Sequence, residues 1–323
     1  MSDTEKSYSL VILAKVNPER ELPTDIYLKI DQKYIRFRGQ GDVIGAEKFD
    51  DFMQKGLEGI YVLADEIMIF LDWITNIRDE EINETLKESS DDTREIVTSM
   101  YDVKEKVYET FLNSELNEEV VEELQEQVND FVSKVKEQPF SKQTIAALIT
   151  RNSTLADHSV NVANLSVYLA MVMGHGHQLV LENIYLGAIL HDLGKAKAGL
   201  TEIGSGDGRF MSQAMQGHPE LSVKVIRKSK GLPDAVYKII LQHHEQFNGF
   251  GYPAGLHGDD IYEMAQIVSI ANVFDNILYE NRQLPRKQAW ELAIKKIELG
   301  KERYWHSKFF PRVVDALKLA KQI

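Results

Sequence analysis

Five of the nine histidines in this 323-residue chain fall on stripes that otherwise read as helix core. Leu155, Val162, Leu165 and Leu169 recur at helical spacing, and His158 sits among them. Leu181, Ile184, Tyr185 and Ala188 form a second stripe, continued by His191 and Asp192. Val236, Ile239, Ile240 and Phe247 form a third, with His243 and His244 between them. His218 precedes Pro219, a favoured first helical residue, and lies on the side of Leu221 and Val225. Met264, Ala265 and Val268 lead in the same way to Asn272 and Asp275.

One histidine on an apolar face is ordinarily a hydrogen-bonded core residue. Five of them with an aspartate need a common partner, because even one unpaired buried polar group costs about 1–3 kcal/mol. Divalent metal is the simplest such partner. Neighbours on a helix point about 100° apart. His191-Asp192 and His243-His244 therefore share one site only if it is broad. That suits two ions about 3.5–4 Å apart, with Asp192 bridging them. Imidazole with carboxylate favours borderline first-row ions, Fe, Mn, Zn, Co or Ni, and Fe or Mn is the leading expectation among them. Two such ions can bind and polarise a phosphate and activate water. Lys195, one turn beyond His191, is placed to neutralise phosphate charge or protonate a leaving oxygen.

The elements that must position these residues divide the chain in three, giving an α+β protein. Residues 1–80 read as a small α/β regulatory domain. Tyr8 to Val16 has the β-branched, apolar character of a strand, and Gly59 to Leu63 reads as another. Asp25 to Ile30 and Tyr34 to Arg38 flank Asp31-Gln32-Lys33 as a hairpin, and Ala46 to Lys55 reads as a helix. No catalytic signature lies here, and the paired acids of a phospho-receiver are missing after the first strand. Residues 81–141 are a Glu-rich helical linker. Val103, Val107 and Phe111 form one stripe, and Val121, Leu124, Val128, Phe131 and Val135 another. These stripes serve either packing within the chain or a homodimer formed through the linker. Residues 142–323 read as all-α, with turns at Gly204 to Gly208 and Gly249 to Gly255.

Composition narrows the function. A net charge of −13 disfavours sequence-independent binding to DNA. The basic stretch Lys224, Arg227, Lys228 and Lys230 reads as a solvated helix face. The chain has no cysteine, so thiolate metal sites and disulfides are excluded and a reducing compartment is compatible. No signal-like pattern or membrane-length apolar run is present, so the expectation is a soluble cytoplasmic protein without membrane contact.

His191-Asp192-Leu193-Gly194-Lys195 resembles the HD motif of the HD phosphohydrolase superfamily. His243-His244-Glu245, followed by Gly249-Phe250-Gly251-Tyr252-Pro253, resembles the second signature of its HD-GYP branch. The resemblance runs from about Asn152 to Leu317 and includes His158-Ser159, His218-Pro219 and Phe310-Pro311-Arg312. It implies an HD-type helical bundle with a two-metal centre that hydrolyses cyclic di-GMP to linear pGpG, and in some members on to GMP. By analogy, His158 and His191 hold one ion with a downstream Asp, His218, His243 and His244 hold the other, and Asp192 bridges. Lys195 contacts phosphate. The loop with Gly251, Tyr252 and Pro253 lies beside the substrate and also meets diguanylate cyclase (GGDEF) partners. Glycine permits close backbone approach there, and a residue before proline, as Tyr252 is, favours an extended backbone.

Five features depart from the family pattern, one being Asn248, where an Asp usually precedes the first loop glycine. The downstream Asp is Asn272, a carbonyl ligand that removes one negative charge, so the ion shared with His158 is expected to bind more weakly. An Arg common upstream in that helix is Gln266. A phosphate-holding Arg-Pro-Tyr-Arg segment is reduced to Arg282-Gln283-Leu284-Pro285, in which Arg282 survives. The acid that lets some members bind a third ion falls at Thr154, which argues against a trinuclear centre. The leading expectation is an active cyclic di-GMP phosphodiesterase regulated by its N-terminal part. The alternatives are a degenerate member that binds metal and perhaps nucleotide as a signalling module, and a hydrolase of another phosphorylated nucleotide.

Overall fold

Two residues with positive φ, Asp31 and Gln32, turn strand β2 (Ile26–Ile30) back into β3 (Lys33–Arg38). This is the backbone that a two-residue hairpin turn matched to strand twist requires. The computed structural model describes residues 7–55, 57, 59–87, 93–112, 116–138, 144, 148–149, 154–198, 200, 213–229, 231–301, 303–308 and 310–320. The expected turn at Gly204 to Gly208 lies outside the described residues.

Strand β1 (Tyr8–Ile12) pairs with β4 (Gly59–Leu63), giving an antiparallel sheet of order β1-β4-β2-β3. Ile60 and Val62 of β4 face inward and are fully buried, as period-two alternation demands. The first strand is shorter than the sequence suggested. At Leu13–Lys15 the chain tightens into a 3-10 turn. Residues three apart eclipse in that geometry, and this carries both Leu13 and Val16 into the core. Helix α1 (Ala46–Gln54) buries Phe49 and Phe52 on its inner side. Because every strand pair is antiparallel, the N-terminal unit is itself α+β rather than α/β.

Helix α2 (Ile67–Lys87) runs unbroken through residue 80. It leads to α3 (Arg94–Leu112) and α4 (Glu118–Glu137), which pack on each other. Asn117 caps α4 by accepting from the Val120 N–H at 2.9 Å. The two linker stripes are buried inside the same chain, Val103 and Val107 on α3 and Val121 to Val135 on α4. Of the two expectations for the linker, packing within the chain accounts for these stripes: α4 lies against α3 and against helix α6 (Gln178–Leu190).

Helix α5 (Leu155–Met173) is the axis of the C-terminal bundle and is buried on nearly every side. Thr154 and Asp157 form a reciprocal capping box at its start, and Gly174 ends it with φ 99°. Around it lie α6, α11 (Glu263–Glu280) and α13 (Phe310–Ala320). Between these run α7 (Leu193–Ala198), α8 (Gln213–Gln216), α9 (His218–Ile226), α10 (Asp234–Gln242) and α12 (Arg286–Leu299). One continuous hydrophobic core joins the sheet, the linker helices and the bundle. No described helix is long and apolar enough to cross a membrane.

Candidate metal centre

Most of the candidate ligands sit at helix ends. His191 caps the C-terminus of α6, His218 opens α9, and His243 caps the C-terminus of α10. Each turns its Nδ1–H onto a carbonyl three residues earlier, of Ala188, Met215 and Ile240 respectively. His158, inside α5, instead donates Nδ1–H to Asp275 Oδ2 at 2.6 Å. Four different anchors thus impose one tautomer, with a lone pair left on Nε2.

Those lone pairs converge on Asp192. His158, His191 and Asp192 form one group, and Asp192, His218, His243 and His244 another, with ligand atoms within 4.8 Å of one another in each. Asp192 Oδ2 lies 3.3 Å from His191 Nε2 and 3.7 Å from His158 Nε2. Its Oδ1 lies 3.1 Å from His218 Nε2 and 3.9 Å from His243 Nε2. One carboxylate therefore turns one oxygen to each group.

The donor set fits cations and little else. His158 Nε2, His191 Nε2, His244 Nε2 and Asp192 Oδ1 are buried without a hydrogen-bond partner. His218 Nε2 and His243 Nε2 face each other at 3.2 Å, lone pair to lone pair, since both rings donate through Nδ1. Leaving such atoms unsatisfied costs about 1–3 kcal/mol each, and cations shared by the lone pairs remove that cost. The His191, His243 and His244 rings are biased towards the neutral form that a ligand must have. Burial pushes the His243 and His244 imidazoles well below their usual range, helped by their histidine neighbours, and lowers His191 as well. Burial acts upward on the Asp192 carboxyl, but His191 and the Lys195 ammonium outweigh it and hold the group well below the carboxylate range.

Lys195 points inward from α7, is 1% exposed, and places Nζ 2.8 Å from Asp192 Oδ2. Gly194 makes that approach possible, because a Cβ there would lie 2.1 Å from the His218 carbonyl oxygen. Ser222 ties the same junction. Its Oγ accepts from Gly194 N–H at 2.7 Å and donates to the His191 carbonyl at 2.9 Å.

The glycine-rich loop borders the second group. Tyr252 stacks on the His244 ring with centroids 4.6 Å apart, and its N–H reaches the His244 carbonyl at 3.2 Å. Glu245 pins the loop by accepting from the Ala254 and Leu256 N–H groups at 2.7 and 2.9 Å. At Gly251 a Cβ would fall 2.3 Å from the Gln246 nitrogen, so only glycine fits. Pro253 follows Tyr252 through a cis peptide.

Two expected residues have protein partners of their own. Asn272 is buried in α11, and its Oδ1 accepts from Asn276 Nδ2 at 2.9 Å. Arg282 lies beyond α11, about 15 Å along the chain direction from Asn272 at a helical rise. Its guanidinium sits over the Tyr279 ring at 4.2 Å and donates to the Tyr279 carbonyl. Thr154, at the third-ion position, is occupied as a helix cap. Sequence reasoning had placed Asp275 on the right face without a role, and had missed Ser222 altogether. A serine on a buried helix face was the available signal.

Residues 155–277 match the HD domain family. The chain is 36% identical over 138 residues to the cyclic di-GMP phosphodiesterase response regulator RpfG of Xanthomonas campestris, a match covering 42% of this chain and 35% of that protein. It is 27% identical over 192 residues to the cyclic di-GMP phosphodiesterase PA4108 of Pseudomonas aeruginosa, covering 58% of this chain and 44% of the relative. The chain thus spans less than half the length of these curated relatives. The solved structure of Bd1817, described as an HDG"Y"P protein from Bdellovibrio bacteriovorus, has the same fold over 97% of this chain and 100% of its own, with a TM-score of 0.63 and 24% identity. Residues 155–277 thus form an HD domain, and the His-Asp cluster, the glycine-rich loop and these likenesses together make the chain similar to the HD-GYP branch of the HD superfamily.

Proposed function

We propose that this protein hydrolyses cyclic di-GMP to linear pGpG at a two-metal centre. One observation carries the reading: Asp192 turns one oxygen to each of two groups of buried imidazole lone pairs. His158, His191 and Asp192, with Asn272, would hold one ion. Asp192, His218, His243 and His244 would hold the other. Fe or Mn suits this oxygen–nitrogen donor set best. Bound there, two divalent ions supply charge that polarises a phosphodiester and acidifies water.

The chain's own groups do the rest. Asp192 keeps the Lys195 ammonium at 2.8 Å, where it neutralises phosphate charge and can give a proton to the leaving oxygen. Tyr252, fixed against His244, forms a flat wall suited to a nucleobase or ribose. Phe250, 72% exposed at the tip of the same loop, offers a contact to substrate or to a diguanylate cyclase partner. Helix α1 packs on α7 beside Lys195, which supports regulation from the N-terminal part.

A second reading, a metal-binding signalling module without hydrolysis, is favoured by one observation. Asn272 is neutral and its Oδ1 is already engaged by Asn276. Anaerobically purified protein, assayed for metal content and for products from cyclic di-GMP, cyclic di-AMP and cyclic GMP-AMP, separates the readings. Two ions per chain and linear pGpG are expected, with Asp192→Ala losing both. Two ions with no linear product from any substrate would overturn hydrolysis. No bound metal would overturn the centre itself.

A further inference from the structure

Helix α3 of the linker grips the N-terminal turn of α5, the turn that precedes His158. Lys104 Nζ lies 2.8 Å from Asp157 Oδ1, with the two side chains 17% and 4% exposed. One turn on, Tyr108 OH lies 2.7 Å from Thr154 Oγ1 in a buried contact. Thr154 and Asp157 are the two halves of the α5 capping box, bonded to each other through backbone and side chain. Both contacts from α3 therefore enter one small network, and the next residue after it is His158.

The same helix is tied outward. Phe49 of α1 meets the Tyr108 ring edge to face at 6.1 Å. Lys15, beside the sheet, pairs with Glu105 of α3 at 2.9 Å. Lys197 of α7 donates to the Phe111 carbonyl at 2.8 Å, so α3 also touches the helix that carries Lys195. Asp157 is nearly fully buried beside its ammonium partner, and such a pair has a narrow range of tolerated geometry.

We propose that Lys104 and Tyr108 are positioning residues for the ion held by His158. They set the first turn of α5, and with it His158 Nε2, so that occupancy of this ion depends on how α1 and α3 are seated. The inference rests on the two-metal reading and extends it. The contacts of Lys104 and Tyr108 reach none of the second group's histidines, which come from α9 and the end of α10.

Mn2+ binding to the full chain tests this without reference to turnover. The expected wild-type isotherm has two ions. Lys104→Met should weaken one of them by about tenfold, the effect usual for outer-shell partners of a metal ligand, and leave the other unchanged. Lys104→Arg should restore it. Tyr108→Phe should shift the same ion in the same direction by a smaller factor, and is the variant to read if Lys104→Met does not fold. In a His158→Ala background neither substitution should alter the remaining ion. Folded variants that bind both ions as the wild type does would overturn the positioning role alone. A wild type that binds no Mn2+ would overturn the metal centre, and this inference with it.

Discussion

His158 donates Nδ1–H to Asp275 Oδ2 across 2.6 Å, from one buried helix to another. The other oxygen of Asp275 accepts from Asn161 Nδ2 at 3.1 Å. Asp275→Asn keeps the shape but can accept on one oxygen only, so an amide N–H must face a donor. The expected outcome is loss of metal affinity of about 10- to 100-fold at the His158 group, with the His218 group retained. Metal titration of the purified variant checks this.

Asn272→Asp adds a negative charge and replaces the amide nitrogen with a second oxygen, so one oxygen can still accept from Asn276 Nδ2 while the other is available to an ion. The ion shared with His158 should bind more tightly, and hydrolysis of cyclic di-GMP should rise. Metal analysis and product chromatography are the measurements. No change in either would mean that Asn272 is not a ligand.

Gly194→Ala would drive a methyl group to 2.1 Å from the His218 carbonyl oxygen and 2.7 Å from the Ser222 nitrogen. Both obstacles are backbone, so α7 and α9 must separate. Overpacking of this kind costs about 1–3 kcal/mol. Denaturant unfolding should report that loss, and metal analysis should show weakened binding, because His191, Asp192 and His218 flank the displaced junction.

Burial lowers Lys197 from 10.5 to about 8. Between those two values the unfolded chain carries the proton and the folded chain does not, so this group makes stability rise with pH. Below pH 8 the folded state must hold the charge and the contribution is lost. Wild type should therefore gain stability relative to Lys197→Met as pH is raised from 7 to 9.5. Paired denaturation curves at the two pH values measure the difference. An unchanged gap would show that Lys197 titrates normally.

Helix periodicity picked out the buried His-Asp cluster because a polar residue that must face the interior takes a core position and interrupts an apolar stripe. His158 between Leu155 and Val162 is the plainest instance. Asp275 was harder. It lies three residues beyond Asn272 and shares its face, and spacing does not say which of the two meets His158. The hairpin at Asp31-Gln32 was legible because strand alternation on both sides leaves little else for the turn to be. Arg282 was placed by resemblance, and its stacking on Tyr279 had no signal in the sequence. The ion pair of Lys104 with Asp157 left no trace in the sequence. It joins residues far apart in the chain, and a lysine on an amphipathic helix reads as solvated until its neighbours are known.

Phe131 of α4 lies against Tyr185 of α6 with ring centroids 4.9 Å apart, in the seam where the two helices pack. Cutting the chain before residue 142 would strip that seam and leave a greasy furrow along α6. Each large apolar side chain bared there forfeits about 1.5–3 kcal/mol. The metal-ligand half is thus no free-standing cassette. Anyone grafting it onto a different sensor must carry α3 and α4 along as part of its hull.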